Sequence, residues 1–81
     1  MSSRDAVEER IREIMAMVLK REVAPGETVT YGTEPAWDSL RHVEIIFSIE
    51  GEFGVRFQEA ELAELNSLNA LVDAVARLTP P

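Results

Sequence analysis

Apolar residues recur at spacings of three and four in three separate stretches of this 81-residue chain, and that period commits each stretch to a helix with one buried face. The first stripe is Val7, Ile11, Ile14 and Val18, on a segment that Ser2 or Ser3 could cap and that runs to about residue 20. The second is Ile45, Ile46, Ile49 and Phe53. The third is Leu68, Leu71, Val72, Val75 and Leu78, with Asn66 or Ser67 as its cap and Pro80 and Pro81 beyond its end. Residues 22–37 hold two glycines, two prolines and three threonines and read as a long loop, which inside a small domain points to function or careful packing. Residues 59–65 have room for one short helical turn. With no alternating strand pattern of useful length, the expected fold is all-α: a small four-helix bundle of three long helices and one short, with a long loop between helices 1 and 2.

A chain of this length forms one domain, taken as residues 1–81, with a thin core. Fifteen acidic against eight basic residues give a formal charge of −7, which disfavours nucleic acid and anionic lipid and favours basic protein partners. The imbalance is concentrated. Residues 1–37 hold seven acids and five bases, whereas residues 38–81 hold eight acids and three bases. There is no cysteine, so neither a disulfide framework nor a thiolate metal site can form, and thiol chemistry needs a group added from outside. Charges at Arg4, Asp5, Glu8, Glu9, Arg10, Arg12 and Glu13 exclude an apolar signal core or membrane span in the first twenty residues, leaving the cytoplasm as the default location.

The second helix carries two apolar faces. Besides the Ile45, Ile46, Ile49 and Phe53 stripe, Leu40, Val43 and Phe47 form a strip rotated away from it and bordered by Glu44 and Glu50. So small a bundle cannot easily bury both. The outer strip is either a docking surface for a partner with a basic, apolar groove or packing for the long loop, and periodicity weighs these equally. Asp38 reads as the N-cap, with Trp37 as a staple near His42, and Gly54 as a left-handed C-terminal cap. That leaves Ser39, the first helical residue, without a structural task.

Asp38-Ser39-Leu40 at the start of the second of four helices, with Val43-Glu44 and Glu52-Phe53 behind it in an acidic chain of this length, resembles the acyl carrier proteins over nearly the whole sequence. The resemblance implies that Ser39 carries a covalent 4′-phosphopantetheine arm, installed from coenzyme A by a phosphopantetheinyl transferase. The arm's thiol then holds acyl intermediates as thioesters for partner enzymes of a fatty-acid, polyketide or related pathway, and the protein is not itself an enzyme. It further implies that Asp38 aids transferase recognition as well as capping, and that Leu40, Val43, Glu44, Phe47 and Glu50 meet partners with basic docking surfaces. Ile45, Ile49 and Phe53 would face the interior, where some carriers hold cargo. A phosphodiester at a helix N-terminus meets free amides and the positive end of the helix dipole, so the site suits the group.

Trp37, Arg41 and Gly51 depart from the pattern common in fatty-acid carriers and point to a specialised carrier. Pro35-Ala36-Trp37 stands where peptidyl carriers have a glycine pair. Met1 and the absence of long linkers favour a stand-alone, monomeric protein over a module of a larger synthase. Two other readings compete. An unmodified helical interaction domain would use the same outer strip. A hydrolase built on Asp38, Ser39 and His42 has the serine and histidine at helical i and i+3 spacing, but lacks a G-x-S-x-G elbow and has Asp38 engaged as a cap. A metal site is poorly supported: one histidine and the acidic run of Glu59, Glu61 and Glu64 give no zinc-ligand spacing.

Overall fold

The computed structural model describes residues 3–78, and among them the regular structure is three α-helices and one 3₁₀ segment. Helix α1 spans Ser3–Leu19, α2 spans Ser39–Phe53 and α3 spans Leu68–Leu78, with the 3₁₀ segment Glu59–Glu64 between α2 and α3. This is the expected helical bundle. Ser3 opens α1, and Ser2, Pro80 and Pro81, expected to start and stop the outer helices, lie outside the described residues.

Helix α1 is the central packing element, lying against both α2 and α3. Its face is accordingly wider than the stripe seen in sequence: Met15 and Leu19 join Val7, Ile11 and Ile14 in the core, while Val18 packs at its margin. From α2 come Ile45, Ile46 and Ile49, and from α3 come Leu68, Leu71, Val72, Ala74 and Val75. Burying each such aliphatic side chain contributes about 1.5–3 kcal/mol, and the ordering of the chain offsets most of the total. Leu78, expected on the third stripe, is instead 41% exposed.

The long loop is fastened at several points. Leaving α1, Lys20 adopts a left-handed conformation (φ 59°) and turns the chain. Val23 and Val29 then drop into the core. The Ala24 amide donates to Glu27 Oε1 at 2.9 Å, Arg21 pairs with Glu27, and Arg21 Nη1 lies 3.4 Å from Glu34 Oε1. Further on, the loop runs antiparallel to the entry of α3: the Tyr31 amide donates to the Asn66 carbonyl at 2.8 Å, and the Leu68 amide donates to the Val29 carbonyl at 2.9 Å. The loop is therefore part of the bundle wall. At the start of α3, Ser67 Oγ accepts from the Ala70 amide at 3.0 Å, so of the two expected caps it is serine that acts.

Helix α2 ends as its sequence indicates. Gly54 is left-handed (φ 65°, ψ 31°) and its amide donates to the Glu50 carbonyl at 2.9 Å. Three residues earlier, Gly51 is helical with open space where a side chain would stand. The same substitution should thus act in opposite directions. Gly51→Ala is expected to stabilise by about 0.5–1 kcal/mol, because alanine loses less backbone entropy in a helix. Gly54→Ala is expected to cost about 1 kcal/mol, because a Cβ is strained in the left-handed region. Urea unfolding of the two variants measures both, and a shared sign would contradict this account of the helix end.

Charge pairs on the surface link stability to acid. The Arg21 hydrogen bond, followed by the Ala24 amide, holds the Glu27 carboxyl below its ordinary value of 4.5. The Arg10 hydrogen bond lowers Glu52 in the same way, with Arg10 Nη2 at 2.8 Å from Glu52 Oε1. A carboxyl whose folded-state pKa is depressed stabilises the fold fully above its unfolded value and loses that contribution as pH falls through the folded value. Stability should therefore decline below about pH 4.5, by a small amount for pairs this exposed. Glu27→Gln should flatten part of the decline, measured as the denaturation midpoint against pH; a curve parallel to the parent's would remove the Arg21 pair as a cause.

Candidate functional site

The site begins with the loop winding into α2. Two successive amides, Thr33 and Glu34, donate to the Thr30 carbonyl at 3.2 and 3.0 Å, and the Trp37 amide donates to the Glu34 carbonyl at 3.1 Å. These turns deliver Trp37 into the core, where it is 3% exposed. Asp38 follows in an extended conformation (φ −105°, ψ −174°), and its Oδ1 accepts from the Arg41 amide at 2.9 Å. It is the N-cap expected from the sequence. The first intrahelical bond runs from the His42 amide to the Asp38 carbonyl at 2.9 Å, so the amides of Ser39 and Leu40 precede the helical ladder.

Ser39 is the first residue of α2 and is exposed. Its Oγ lies 3.3 Å from the Tyr31 hydroxyl. Tyr31 packs edge-on to Trp37 with ring centroids 5.8 Å apart, and lies 5.6 Å from the His42 ring. His42 is more than the helix-surface neighbour of Trp37 expected from sequence. The indole Nε1 can only donate, and it donates to His42 Nδ1 at 3.1 Å; in the neutral ring the proton then sits on Nε2, which donates to the Leu62 carbonyl at 3.2 Å.

These contacts dispose of the serine hydrolase reading. Both imidazole nitrogens are occupied away from Ser39, and the Asp38 carboxylate is spent on the Arg41 amide, so no aspartate–histidine–serine relay is assembled. Among the described residues no group of three histidine, aspartate or glutamate side chains comes together to hold a metal ion. Nor is any helix long and apolar enough to cross a membrane.

Beside Ser39, between α2 and the 3₁₀ segment, lies a groove of about 390 Å³ lined by Tyr31, Ser39, His42, Val43, Leu62 and Ala63. Sequence reasoning did not find it. Its walls join the loop and the start of α2 to the distant 3₁₀ segment, and the only available signal was that the single tyrosine and single tryptophan both sit in the loop running into Ser39. A larger hollow of about 580 Å³, bordered by Arg12, Ala16, Val23 and Pro25, contains none of the site residues.

The outer strip of α2 is open to solvent. Leu40 is 66% exposed, Val43 47% and Phe47 68%, with Glu44 also exposed, so the strip does not pack under the long loop. Glu50 behaves differently. It is half-buried, and its Oε2 accepts from the Phe57 amide at 2.9 Å, tying α2 to the segment that follows and placing Phe57 in the core. Arg41 also turns inward: its Nη1 donates to the Val18 carbonyl at 3.1 Å near the end of α1, and its Nε lies 3.9 Å from Glu44 Oε1. Of the inner-face residues, Ile45 and Ile49 are wholly buried and Phe53 is partly covered.

Residues 9–75 match the family described as the phosphopantetheine attachment site, a span that takes in the site just described and most of the bundle. Over 61 residues, covering 74% of this chain and 70% of the relative, the sequence is 39% identical to the polyketide-8 synthase acyl carrier protein 2 of Streptomyces avermitilis. In this family the prosthetic group is a covalently attached 4′-phosphopantetheine, and its members carry acyl groups without catalysing reactions on them. The chain belongs to the phosphopantetheine-binding acyl carrier proteins.

Proposed function

We propose that Ser39 is the attachment point of the 4′-phosphopantetheine arm and that this carrier serves a polyketide-type pathway through the outer strip of α2. The observation that carries the attachment is the placement of Ser39: an exposed hydroxyl on the first residue of a helix, free of any relay, with the uncommitted amides of Ser39 and Leu40 beside it. In the transfer, Ser39 Oγ forms a new bond to the pantetheine-bearing phosphorus of coenzyme A. The diphosphate bridge breaks, the nucleotide half departs, and the serine proton passes to a base on the transferase. The reading carries with it a single carrier domain, acting as a monomer in the cytoplasm.

The pathway assignment rests on the polyketide synthase carrier with which the chain shares 39% identity, together with Trp37, Arg41 and Gly51, which depart from the fatty-acid pattern. Arg41 has a physical account, since its guanidinium donates to the Val18 carbonyl near the end of α1. Gly51 leaves a hollow beside Phe47, about 550 Å³ and bordered by Glu50, Gly54 and Arg56, where a partner side chain could seat against the aromatic ring.

Incubation with coenzyme A, magnesium and a broad-specificity phosphopantetheinyl transferase is expected to add one phosphopantetheine by intact mass to the parent and none to Ser39→Ala. A Ser39→Ala protein that still gains the mass would refute the attachment site. Asp38→Asn separates the two roles of its residue. It should keep the cap and the melting temperature while slowing transfer, whereas Asp38→Ala should also lose about 1 kcal/mol of stability.

For docking, Phe47→Ala and Glu44→Lys change exposed side chains only, so folding should be intact. Each is expected to lower kcat/KM severalfold with an acyl-transferring partner that presents a basic, apolar surface, the charge reversal more strongly at low salt. Unchanged kcat/KM in both variants would sink the outer strip as the docking face.

A further inference from the structure

We infer that Tyr31 is a positioning residue for the prosthetic arm: its hydroxyl holds the phosphodiester on Ser39 and lays the first part of the arm along the groove walled by Val43, Leu62 and Ala63. The inference rests on Ser39 being the attachment point. Its starting observation is the 3.3 Å separation of the Tyr31 hydroxyl and Ser39 Oγ, two atoms of residues that line the same groove. In the unmodified protein either oxygen can donate to the other. Once Oγ becomes an ester oxygen it has no proton, and the phosphodiester offers only acceptors, so the remaining donor in this pair is the tyrosine.

The hydroxyl is held in place by the fold. The Tyr31 amide is bonded to the Asn66 carbonyl at 2.8 Å, and its ring is braced by Trp37 and His42. His42 is itself fixed by its bonds to Trp37 and the Leu62 carbonyl. A donor anchored in this way restricts rotation about the first bonds of the arm at small entropic cost. Asp38 acts in the same sense. Its carboxylate is adjacent in the chain and repels the phosphate's charge, while Tyr31 attracts it from the groove side. The groove beyond is about 390 Å³ with largely apolar walls, a fitting bed for the dimethyl-bearing pantoyl portion of the arm and for the start of an acyl chain.

Tyr31→Phe removes the hydroxyl and keeps the ring, so the packing against Trp37 and His42 should survive and the melting temperature should be unchanged. Both proteins would be converted to the arm-bearing form, checked by intact mass, and compared by NMR. In the parent, the geminal methyl groups of the arm should show Overhauser contacts to Val43, Leu62 and Ala63. In Tyr31→Phe these should fall severalfold, and the phosphorus resonance should move toward that of a free phosphodiester. Equal contacts in the two proteins, or none in an arm-bearing parent, would overturn the role of Tyr31 and leave the attachment reading standing. A parent that gains no mass would overturn the attachment reading and this inference with it.

Discussion

One imidazole ring holds the site together. His42 receives the indole proton of Trp37 on one nitrogen and passes its own to the carbonyl of Leu62 from the other. The end of the long loop and the first turn of α2, which are adjacent in the chain, are thereby fixed to the 3₁₀ segment farther along it. The position of Ser39 follows. Trp37 must be buried for its N–H to reach His42, and a buried Trp37 forces Asp38 to be the residue at which the chain turns outward and the helix starts. Ser39 is then the first helical residue by necessity, exposed on one side and facing the groove on the other.

The charges contribute little to holding this arrangement in place. No charged or polar residue among those described is buried, and pairs such as Arg4 with Asp73 or Arg10 with Glu13 lie in solvent, where screening leaves each little net weight. The bundle is held by its aliphatic layer, and polar groups act where they meet backbone. Arg41 reaches the Val18 carbonyl, Glu50 the Phe57 amide and Ser67 the Ala70 amide. Each satisfies a backbone group where a helix starts or ends or in the connection that follows it, and such groups are costly to leave unpaired in so thin a domain.

What could be read in the sequence and what could not divide along sequence distance. The helices, the Asp38 cap and the left-handed Gly54 depend on neighbours within four residues, and the residue types announce them; at α3 both Asn66 and Ser67 were eligible caps, and the structure selects Ser67. The two-faced character of α2 was legible for the same reason, although periodicity could not say whether the outer strip would stay in water or pack under the long loop; Leu40, Val43 and Phe47 are exposed. The bond from the Phe57 amide to Glu50 was not legible, because Phe57 lies past a turn whose direction no periodicity encodes. The groove was invisible, since its wall at Leu62 and Ala63 lies far along the chain from Tyr31, which is held in part by the pairing of residues 29–31 with residues 66–68.

On the proposed attachment at Ser39 and the proposed docking strip, the position of Ser39 at the end of α2, and not along its side, has a mechanical consequence. A helix side belongs to one face, so a group attached there would be committed either to the core or to the docking strip. The N-terminal turn borders both. From Ser39 one direction leads along the groove of Tyr31, Leu62 and Ala63, and the other along Leu40, Val43 and Phe47 toward any enzyme seated on the outer strip. An arm at this position can exchange between shelter and presentation by rotation about a few bonds, with no rearrangement of the bundle. Val43 lines the groove and also belongs to the exposed strip, so a partner that covers Val43 also covers one wall of the shelter. Docking then disfavours the sheltered state through direct competition for a single side chain. On that reading a partner's arrival favours release of the arm, because the arm's two positions supply the states between which the equilibrium shifts.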